Sequence, residues 1–350
     1  AYEDPRMQSF LVRANYVLLS KYILTLNARS DGSSKVGKNN RWGFFPSGSA
    51  AWVISDESWM KQYAWISTLK LRTGYGLSGN LGAIDCYNSL QLVQPNGVVS
   101  ADGTPTVTLG IIRNANPNLK WEQTEQTNFG LDFSSLNNRL NVSFDYYNKN
   151  TKDMLIRRDY IAVIGEGGYY WYNGISMNNK GIEATMSWRD NKKGFNYEVA
   201  FNMSVYKNKI TDLPEDIYYT YGGGNGLDKT IVGQPLGSWM GYKTDGVFRT
   251  QAEVDAYNKQ YKVQIGAPGV GRIRYKDVDG NGIINTSDQT WLGSNQPKFM
   301  GGLNLYCSYK GFDLSMFFNG MVRDAYNNSK YYTDLFQCWT GNHSTRLMEA

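Results

Sequence analysis

Apolar and polar residues alternate with a period of two over much of this chain. In residues 194–207 the odd-numbered positions from Phe195 to Val205 are apolar or aromatic, and mostly polar residues occupy the positions between them. This alternation is typical of β-strands that have one apolar and one polar face. It predicts strands over 9–17, 21–29, 43–54, 67–78, 122–134, 139–158, 180–189 and 194–207, and a hairpin over 298–320. The chain is therefore predicted to be all-β and antiparallel, with about ten strands.

The connections between the predicted strands alternate in length. Short ones fall near 18–20, 135–138, 190–193 and 309–311, with a medium one at 55–66, whereas long ones fall near 30–42, 79–121, 159–178, 208–297 and beyond 322. In an antiparallel meander alternate connections lie at the same end, so the short turns share one end and the long loops share the other. Outer-membrane β-barrels show this asymmetry, with short periplasmic turns and long extracellular loops. A soluble sandwich with one buried face is the alternative interpretation of the alternation.

Composition is compatible with a barrel and argues against other classes. Charged residues make up 19% of the 350 residues, aromatic residues make up 14%, and Tyr alone accounts for 26. Because a membrane-spanning strand carries polar residues on its lumen side, a mean hydropathy of −0.49 fits a transmembrane barrel. The sequence has no run of about 18 apolar residues, so no membrane-spanning helix is predicted. The net charge of +5 is small, and we expect no nucleic-acid partner.

Residues Asp277–Asp288 match the pattern of a calcium-binding loop. Oxygen-bearing side chains stand at loop positions 1, 3, 5, 9 and 12, and Gly282 stands at position 6, where such loops turn sharply. The predicted Ca²⁺ ligands are Asp277, Asp279, Asn281, the backbone carbonyl of Ile283, Asn285 and Asp288. Asp at the last position is shorter than the usual Glu, and the flanking residues are predicted as strand or coil. A metal-free Asx/Gly turn is therefore the alternative.

The loop precedes a hairpin that carries a family resemblance. The hairpin sequence is PKFMGGLNLYCSYKGFDLSMFFNG, and further motifs include LKLRTGYGLSGN (69–80), NPNLKWEQTEQTNFGLDF (116–133) and NNKGIEATMSW (178–188). Each motif alone is weak, but the set is specific and occurs in the family's order. The chain resembles the SusC/RagA-type TonB-linked (TonB-dependent) outer-membrane transporters over nearly its whole length.

The resemblance implies an architecture and a location. The family builds a barrel of about 22 strands around a plug, so residues 1–350 would be part of the TonB-dependent receptor β-barrel domain. The plug and the TonB-contacting segment would then lie elsewhere in the parent protein. Residues 208–297 would form a large extracellular loop region that carries the calcium-type loop. The chain opens with Ala1 and without an apolar leader, so we expect it to begin inside a longer protein. The expected location is the cell outer membrane of a Gram-negative bacterium.

The resemblance also implies a function. The parent protein would import large nutrients, oligosaccharides or peptides, across the outer membrane. The TonB complex would drive this uptake, and a SusD-like surface lipoprotein would cap the barrel. No catalysis is expected. The alternative is a secreted, calcium-stabilised carbohydrate-binding β protein that transports nothing.

An aromatic run in the predicted loop 159–178 provides candidate substrate-binding residues. The run consists of Tyr169, Tyr170, Trp171 and Tyr172, with Asn173 directly after it. Flat aromatic faces beside polar groups suit the C–H faces of sugar rings. They equally suit packing against another loop or against a capping partner.

Catalytic and nucleotide-binding motifs find little support. The single histidine, His343, has no partner for a catalytic triad or a histidine metal cluster. Residues 74–79 fit GxGxxG, but Arg72 interrupts the preceding strand, which a strand buried on both faces would not tolerate. Residues 32–39 nearly fit a P-loop, yet Asn39 lacks the hydroxyl that would ligate magnesium.

Overall fold

The computed structural model describes residues 5–99, 103–159, 168–214 and 231–324. The chain divides into two compact units. The first comprises residues 1–217, 232–234 and 299–321, and the second comprises residues 218–231, 235–298 and 322–350. Among the described residues, no helix has both the length and the apolarity needed to cross a membrane. His343 lies outside the described residues.

Ten strands follow one another in a single antiparallel order in the large sheet. They are β1 (Met7–Leu18), β2 (Tyr22–Ser33), β3 (Trp42–Val53), β4 (Ile66–Asn80), β7 (Glu122–Ser135), β8 (Leu140–Asp159), β9 (Tyr169–Lys192), β10 (Phe195–Asp212), β17 (Pro297–Tyr309) and β18 (Phe312–Arg323). Two further strands, β5 (Leu92–Val99) and β6 (Pro105–Arg113), form a hairpin that joins this sheet through a bridge to β9. The prediction of an all-β antiparallel chain is confirmed.

The register between strands places the apolar residues of neighbouring strands on one face. Met186 on β9 lies opposite Val142 on β8 and opposite Phe201 on β10, and Phe201 lies opposite Leu303 on β17. Because successive side chains point to opposite faces, the predicted apolar positions share one side of the sheet. We call this side the apolar face and the other side the polar face.

The connections of the large sheet follow the predicted alternation of length, except that residues 54–65 form a longer connection than residues 34–41 or 160–168. One edge carries 19–21, 54–65, 136–139, 193–194 and 310–311, and the opposite edge carries 34–41, 81–121, 160–168 and 213–296. We call these the short-turn edge and the long-loop edge. The four shortest turns place non-glycine residues such as Leu19, Asn137 and Lys310 at positive φ, which is the backbone geometry of tight hairpins.

Two of the predicted loops contain strands. The strand β9 begins at Tyr169 rather than near 180, because its first residues pair with the far end of β8 between Met154 and Asp159. The predicted loop 79–121 contains the hairpin β5–β6. The predicted loop region 208–297 is also shorter than expected, since β10 continues to Asp212 and β17 begins at Pro297.

At the long-loop edge the first unit has a small hydrophobic core. Its buried members are Val36, Phe45, Ile84, Leu119, Trp121 and Leu155. Buried Arg113 holds the neighbouring loop by donating from Nη1 to Asn88 Oδ1 (2.7 Å) and from Nη2 to the Tyr87 carbonyl (2.9 Å). Gly37 of the near P-loop packs against Pro117, whose carbonyl oxygen would lie 2.1 Å from an added Cβ. This glycine therefore serves loop packing.

The second unit combines short strands with one helix. They are β11 (Ser238–Tyr242), β12 (Thr244–Val247), helix α1 (Gln251–Gln260), β13 (Lys262–Val263), β14 (Ile273–Tyr275), β15 (Ile283–Ile284) and β16 (Gln289–Ser294). Thr250 caps α1 by accepting from the Glu253 N–H, while the Glu253 carboxylate accepts from the Arg249 N–H at 2.9 Å. Phe248, Val254, Tyr257 and Ile284 form the core of this unit.

Candidate functional site

The apolar face of the large sheet is exposed. Met186 is 50% and Phe201 is 41% accessible, whereas a soluble sheet buries such side chains against a second layer. On β10 the apolar positions run from Phe195 to Val205, which is about 33 Å along a strand. A strand tilted by about 40° carries such a stretch across about 25 Å, the height of the apolar band of outer-membrane barrels. The face therefore has the dimension of a lipid-facing surface.

Aromatic side chains gather at the short-turn edge of the apolar face. Tyr22 stacks on Trp52 with ring centroids 6.3 Å apart, and Phe195 packs on Tyr309 at 6.4 Å. Amphipathic rings are enriched where the hydrocarbon of a membrane meets water. These aromatic pairs mark the short-turn edge as the boundary of the apolar band.

The polar face carries a charged network across three strands. Arg72 on β4 donates from Nε to Asp132 on β7 (2.8 Å) and from Nη2 to Asp145 on β8 (3.0 Å). The Ser143 hydroxyl also donates to Asp132 at 3.0 Å. Charges on one face and exposed apolar residues on the other are what a barrel with a polar interior requires. The glycines of the GxGxxG match lie within β4, where Gly74 pairs with Ser49 of β3, and they form no nucleotide-binding turn.

The calcium-type loop lies in the second unit, where three of its carboxylates converge. One oxygen each of Asp277, Asp279 and Asp288 lies within 4.8 Å of the others. Asp277 accepts from the Gly280 and Gly282 N–H groups, both at 2.8 Å. Asp279 accepts in turn from the backbone N–H two residues ahead, at 3.1 Å. These backbone contacts orient the carboxylates that the sequence pattern predicted to act together.

Asp288 closes the loop. Its side chain is fully buried, and its two oxygens accept from the Val278 N–H (2.8 Å) and from the Asn285 N–H (2.9 Å). The side-chain oxygens of the remaining predicted ligands also accept hydrogen bonds from backbone N–H groups. Asn281 Oδ1 accepts from the Ile283 N–H at 2.7 Å, and Asn285 Oδ1 caps a short 3₁₀ turn by accepting from the Ser287 N–H at 2.8 Å.

The backbone around the loop fixes its position. Gly282 adopts φ +77°, a conformation that favours glycine and explains the residue at the sharp turn. Its carbonyl accepts from the Lys262 N–H at 2.9 Å, and the Ile284 carbonyl accepts from the Gln264 N–H at 2.8 Å. Ile284 itself is fully buried beside Tyr257. The loop is therefore fastened to the core of the second unit.

The electrostatics of the three carboxylates favour a cation. The N–H of Gly282, assisted by that of Gly280, lowers the pKa of Asp277 below its usual value, so this group is ionised at neutral pH. Two unit charges 4 Å apart repel by about 4 kcal/mol at an effective dielectric constant of 20. Within the described part of the chain, no Lys or Arg nitrogen lies within 4.0 Å of the three carboxylates. Oxygen-only donors of this charge suit a hard divalent cation.

The aromatic run lies in a strand and not on a long loop. All four rings are partly buried at the start of β9, where alternation places Tyr170 and Tyr172 on one face and Tyr169 and Trp171 on the other. Tyr170 and Tyr172 pack with centroids 5.4 Å apart, and Arg157 lies over the Tyr169 ring at 4.0 Å. Trp171 packs against the hydrophobic core at the long-loop edge. The four rings therefore divide between the two faces of the strand.

The cleft beside the calcium-type loop was not predicted from the sequence. It has a volume of about 540 Å³, and Glu253, Tyr257, Arg274 and Asp277 are among its lining residues. Burial raises the pKa of Tyr257 to about 12, and its hydroxyl donates to the Tyr275 carbonyl at 2.6 Å. The helix that lines the cleft begins with Thr250-Gln-Ala-Glu253. This capping-box spacing is the signal that could have located it.

Comparisons with known proteins agree with this geometry. The sequence model of the family described as TonB dependent receptor-like, beta-barrel matches residues 1–336. TonB-dependent receptor P3 of Formosa agariphila is 35% identical over 327 residues, which cover 91% of this chain and 32% of that protein. TonB-dependent receptor SusC of Bacteroides thetaiotaomicron is 30% identical over 329 residues, which cover 93% of this chain and 31% of that protein.

A solved structure extends the likeness to the fold. The structure of the RagAB peptide transporter superposes with a TM-score of 0.76 at 26% identity, over 94% of this chain and 34% of that chain. The chain thus spans about a third of the length of the relatives that it matches. The resemblance stated from the motifs is confirmed. From its matched length and its sheet, the chain belongs to the TonB-dependent receptor β-barrel family.

Proposed function

We propose that this chain forms part of the barrel wall of an outer-membrane, TonB-dependent importer of oligosaccharides or peptides. The observation that carries the proposal is the large antiparallel sheet whose apolar face is exposed while its polar face holds a charged network. Met186 and Phe201 represent the first face, and Arg72 with Asp132 represents the second. A water-filled passage inside a lipid bilayer needs both faces.

The long-loop edge is proposed to face the outside of the cell. Outer-membrane barrels place their short turns in the periplasm and their long loops outside. The connections at 81–121, 160–168 and 213–296 would then meet the substrate and a SusD-like lipoprotein lid. Support for a lid comes from the likeness to SusC and to the RagAB peptide transporter.

The placement in the membrane is tested by fractionation of cells that express the full-length protein. The protein is expected in the outer-membrane fraction and should migrate faster on an SDS gel before heating than after it, as intact barrels do. Recovery in the soluble fraction, with a migration that heating does not change, would favour the secreted carbohydrate-binding protein instead. The exposed apolar face of the large sheet argues against that alternative, because a sandwich buries this face against a second sheet.

The substrate class requires a measurement of uptake. A strain that lacks the gene should lose growth on one class of nutrient, either oligosaccharides or peptides, and should regain it with the wild-type gene. Loss of TonB should have the same effect if uptake is energised in the proposed way. Normal growth of the deletion strain on every oligosaccharide and peptide mixture tested would argue against an importer of large nutrients.

The tyrosines at the start of β9 are proposed as a substrate contact. Tyr170 and Tyr172 share one face, and Arg158 Nη1 donates to the Tyr170 hydroxyl at 3.3 Å. Tyr169 and Trp171 on the opposite face are weaker candidates, since Trp171 packs in the core. In cells, Tyr170→Ala is expected to weaken uptake, whereas Tyr146→Ala, a partly exposed tyrosine on the apolar face, should not. Equal uptake by both variants would contradict a substrate contact at Tyr170.

The calcium-type loop is proposed to bind Ca²⁺ and to brace the second unit. The three converging carboxylates and the absence of a paired cation among the described residues support this proposal. Asp277, Asp279 and Asp288 would hold the ion, with Asn281, the Ile283 carbonyl and Asn285 as the remaining oxygen donors. Bound Ca²⁺ would neutralise the repulsion among the carboxylates. An external loop meets millimolar calcium, so even a weak site would be filled.

Calorimetric titration of the purified full-length protein with CaCl₂ tests this site. Wild type is expected to bind one calcium ion through the loop, and exposed Asp279→Asn should weaken that binding about ten-fold or more. The matched control is Asp255→Asn, which removes the same charge from α1, where the carboxylate accepts only from Gln251 in the described structure. Calcium binding that is equal in Asp279→Asn and wild type would support the metal-free turn.

A further inference from the structure

Three lysines stand together directly beyond the apolar face at its long-loop side. Lys180 on β9 lies opposite Lys207 on β10, and Lys209 follows two positions later on the same face. The preceding residues on that face, Ile182 and Val205, are opposite each other and apolar. On this face of β9 and β10, an apolar pair of residues is therefore followed directly by a pair of lysines.

This arrangement is unfavourable without a counter-ion. Like charges directly opposite each other destabilise a strand pair. Two positions along one strand are about 7 Å apart, so the third ammonium adds to the repulsion. All three side chains are exposed. Among the described residues none of the three lies within 4.0 Å of a carboxylate. Two acidic residues lie on neighbouring rows of this face: Glu125 on β7, which accepts from Tyr75, and Asp212 on β10, which lies opposite Ser176.

Amide side chains complete the surface. Asn178 lies opposite Lys209 on one side and opposite Asn150 on the other. Its Nδ2 donates to the side-chain oxygens of Asn148 and Asn150, both at 2.6 Å. We call the set Lys180, Lys207, Lys209, Asn148, Asn150 and Asn178 the lysine–asparagine surface. It offers several N–H donors and three positive charges on one face.

We propose that the lysine–asparagine surface binds the phosphorylated headgroup of a lipid in the outer leaflet. The acyl chains would lie along Ile182, Val205 and the rest of the apolar face, and the phosphate would lie against the three ammonium groups. Lysines at the end of an apolar stretch extend their charged ends to the membrane interface, and basic clusters there recognise anionic headgroups. This inference rests on the proposed placement in the outer membrane.

A free phosphate ion would offer the same charge, but the position favours a lipid. The surface is continuous with the exposed apolar face, so an occupant with both hydrocarbon and phosphate can contact both at once. A soluble anion would gain nothing from Ile182 or Val205. The proposal therefore predicts that the acyl chains and the phosphate are both needed for binding.

The test reconstitutes full-length protein into nanodiscs that contain lipid A, or lipid A treated with phosphatase, and counts retained lipid by native mass spectrometry. Wild type should retain the phosphorylated form at least about five-fold more than the dephosphorylated form. The triple variant K180Q/K207Q/K209Q should lose this preference. The control K61Q/K193Q/K310Q removes the same charge from connections at the short-turn edge and should keep the preference.

Each remaining outcome overturns the inference or identifies another cause. Equal retention of both lipids by wild type, or an unchanged preference in K180Q/K207Q/K209Q, would show that the surface does not bind the headgroup. Displacement of the lipid by excess inorganic phosphate would show that the ligand is a soluble anion. Heat-modifiable migration of every variant is read in parallel. Its loss in wild type would contradict the membrane placement itself and not the headgroup site.

Discussion

A single buried carboxylate, Asp288, connects the two ends of the calcium-type loop. Its two oxygens accept hydrogen bonds from the backbone N–H groups of Val278 and Asn285. The variant Asp288→Asn keeps the shape of the side chain but replaces one oxygen with an NH₂ group. That NH₂ group then faces one of the two backbone N–H groups and cannot accept its hydrogen bond. Leaving a buried N–H unpaired costs about 1–3 kcal/mol, so the variant should destabilise the second unit even without calcium. Proteolysis within residues 235–298 of calcium-free protein should be faster than in wild type.

The comparison that isolates this effect is Asp279→Asn. The side chain of Asp279 is exposed, and its oxygens accept only from Asn281 within the described structure. This variant is expected to lose calcium affinity while its calcium-free protease resistance stays at the wild-type level. If both variants were cleaved at the same rate as wild type, Asp288 would have no structural role.

The protonation of Asp277 leads to a prediction about pH. The N–H of Gly282 lowers its folded-state pKa below the ordinary value of 3.8. Because the pKa is lower in the folded protein, the stabilisation that ionised Asp277 contributes is fully present above its unfolded-state pKa. This stabilisation is lost as the pH falls through the folded-state pKa. Protons should therefore not compete for Asp277 between pH 7 and pH 5. Calcium affinity measured calorimetrically should change less than about two-fold over this range, and a ten-fold loss would contradict the assignment.

At the scale of single residues, the sequence predicts contacts within a short loop better than contacts that depend on strand pairing. The spacing of the acidic residues correctly brought Asp277, Asp279 and Asp288 together, because a short loop leaves few ways to arrange them. The aromatic run was misplaced, since its strand depends on pairing with Arg157 and Arg158 of β8. Such pairing cannot be recognised from local alternation when both strand ends are rich in polar and aromatic residues.

At the scale of elements, alternation located the long strands because each has one apolar and one polar face along its length. It failed where this contrast is weak. The hairpin β5–β6 and the short strands β11 to β16 lie outside the continuous antiparallel order of the large sheet. The strands β13 and β15 have only two residues each, too few for any periodicity. Their positions follow from the core around Ile284 and not from local pattern.

The two faces of β10 should differ in their response to a charge. Phe201 lies on the apolar face opposite Met186, and its neighbour Asn202 lies on the polar face. A lysine on a lipid-facing position near the middle of the bilayer costs about 2–4 kcal/mol. Phe201→Lys should therefore reduce the stability of the refolded barrel in urea by that amount, whereas Asn202→Lys should cost much less. Equal losses in both variants would indicate that the two faces have the same surroundings.

At the scale of the whole molecule, the sequence located the strands of the large sheet but not the compact second unit. The predicted loop region 208–297 holds strands, a helix and its own core of Phe248, Val254, Tyr257 and Ile284. A loop of this length without internal structure would be unusual in a compact protein. The length of the segment was therefore the available signal, and it indicated a small folded unit.

This division predicts that the second unit can be removed without loss of the barrel. Residues 235–296 lie between the contacts of β10 with Gly233 and Gln234 and the start of β17 at Pro297. In the full-length protein, a short Gly/Ser linker in their place should preserve outer-membrane insertion and heat-modifiable migration, because the paired strands of the large sheet remain. Nutrient uptake should fall to the level of the deletion strain, since loops at that edge are proposed to meet substrate and lid. The full-length Asp279→Asn protein serves as the control that keeps the unit. Failure of the excised protein to insert would show that the barrel depends on the second unit, and uptake at the wild-type level would show that transport does not need it.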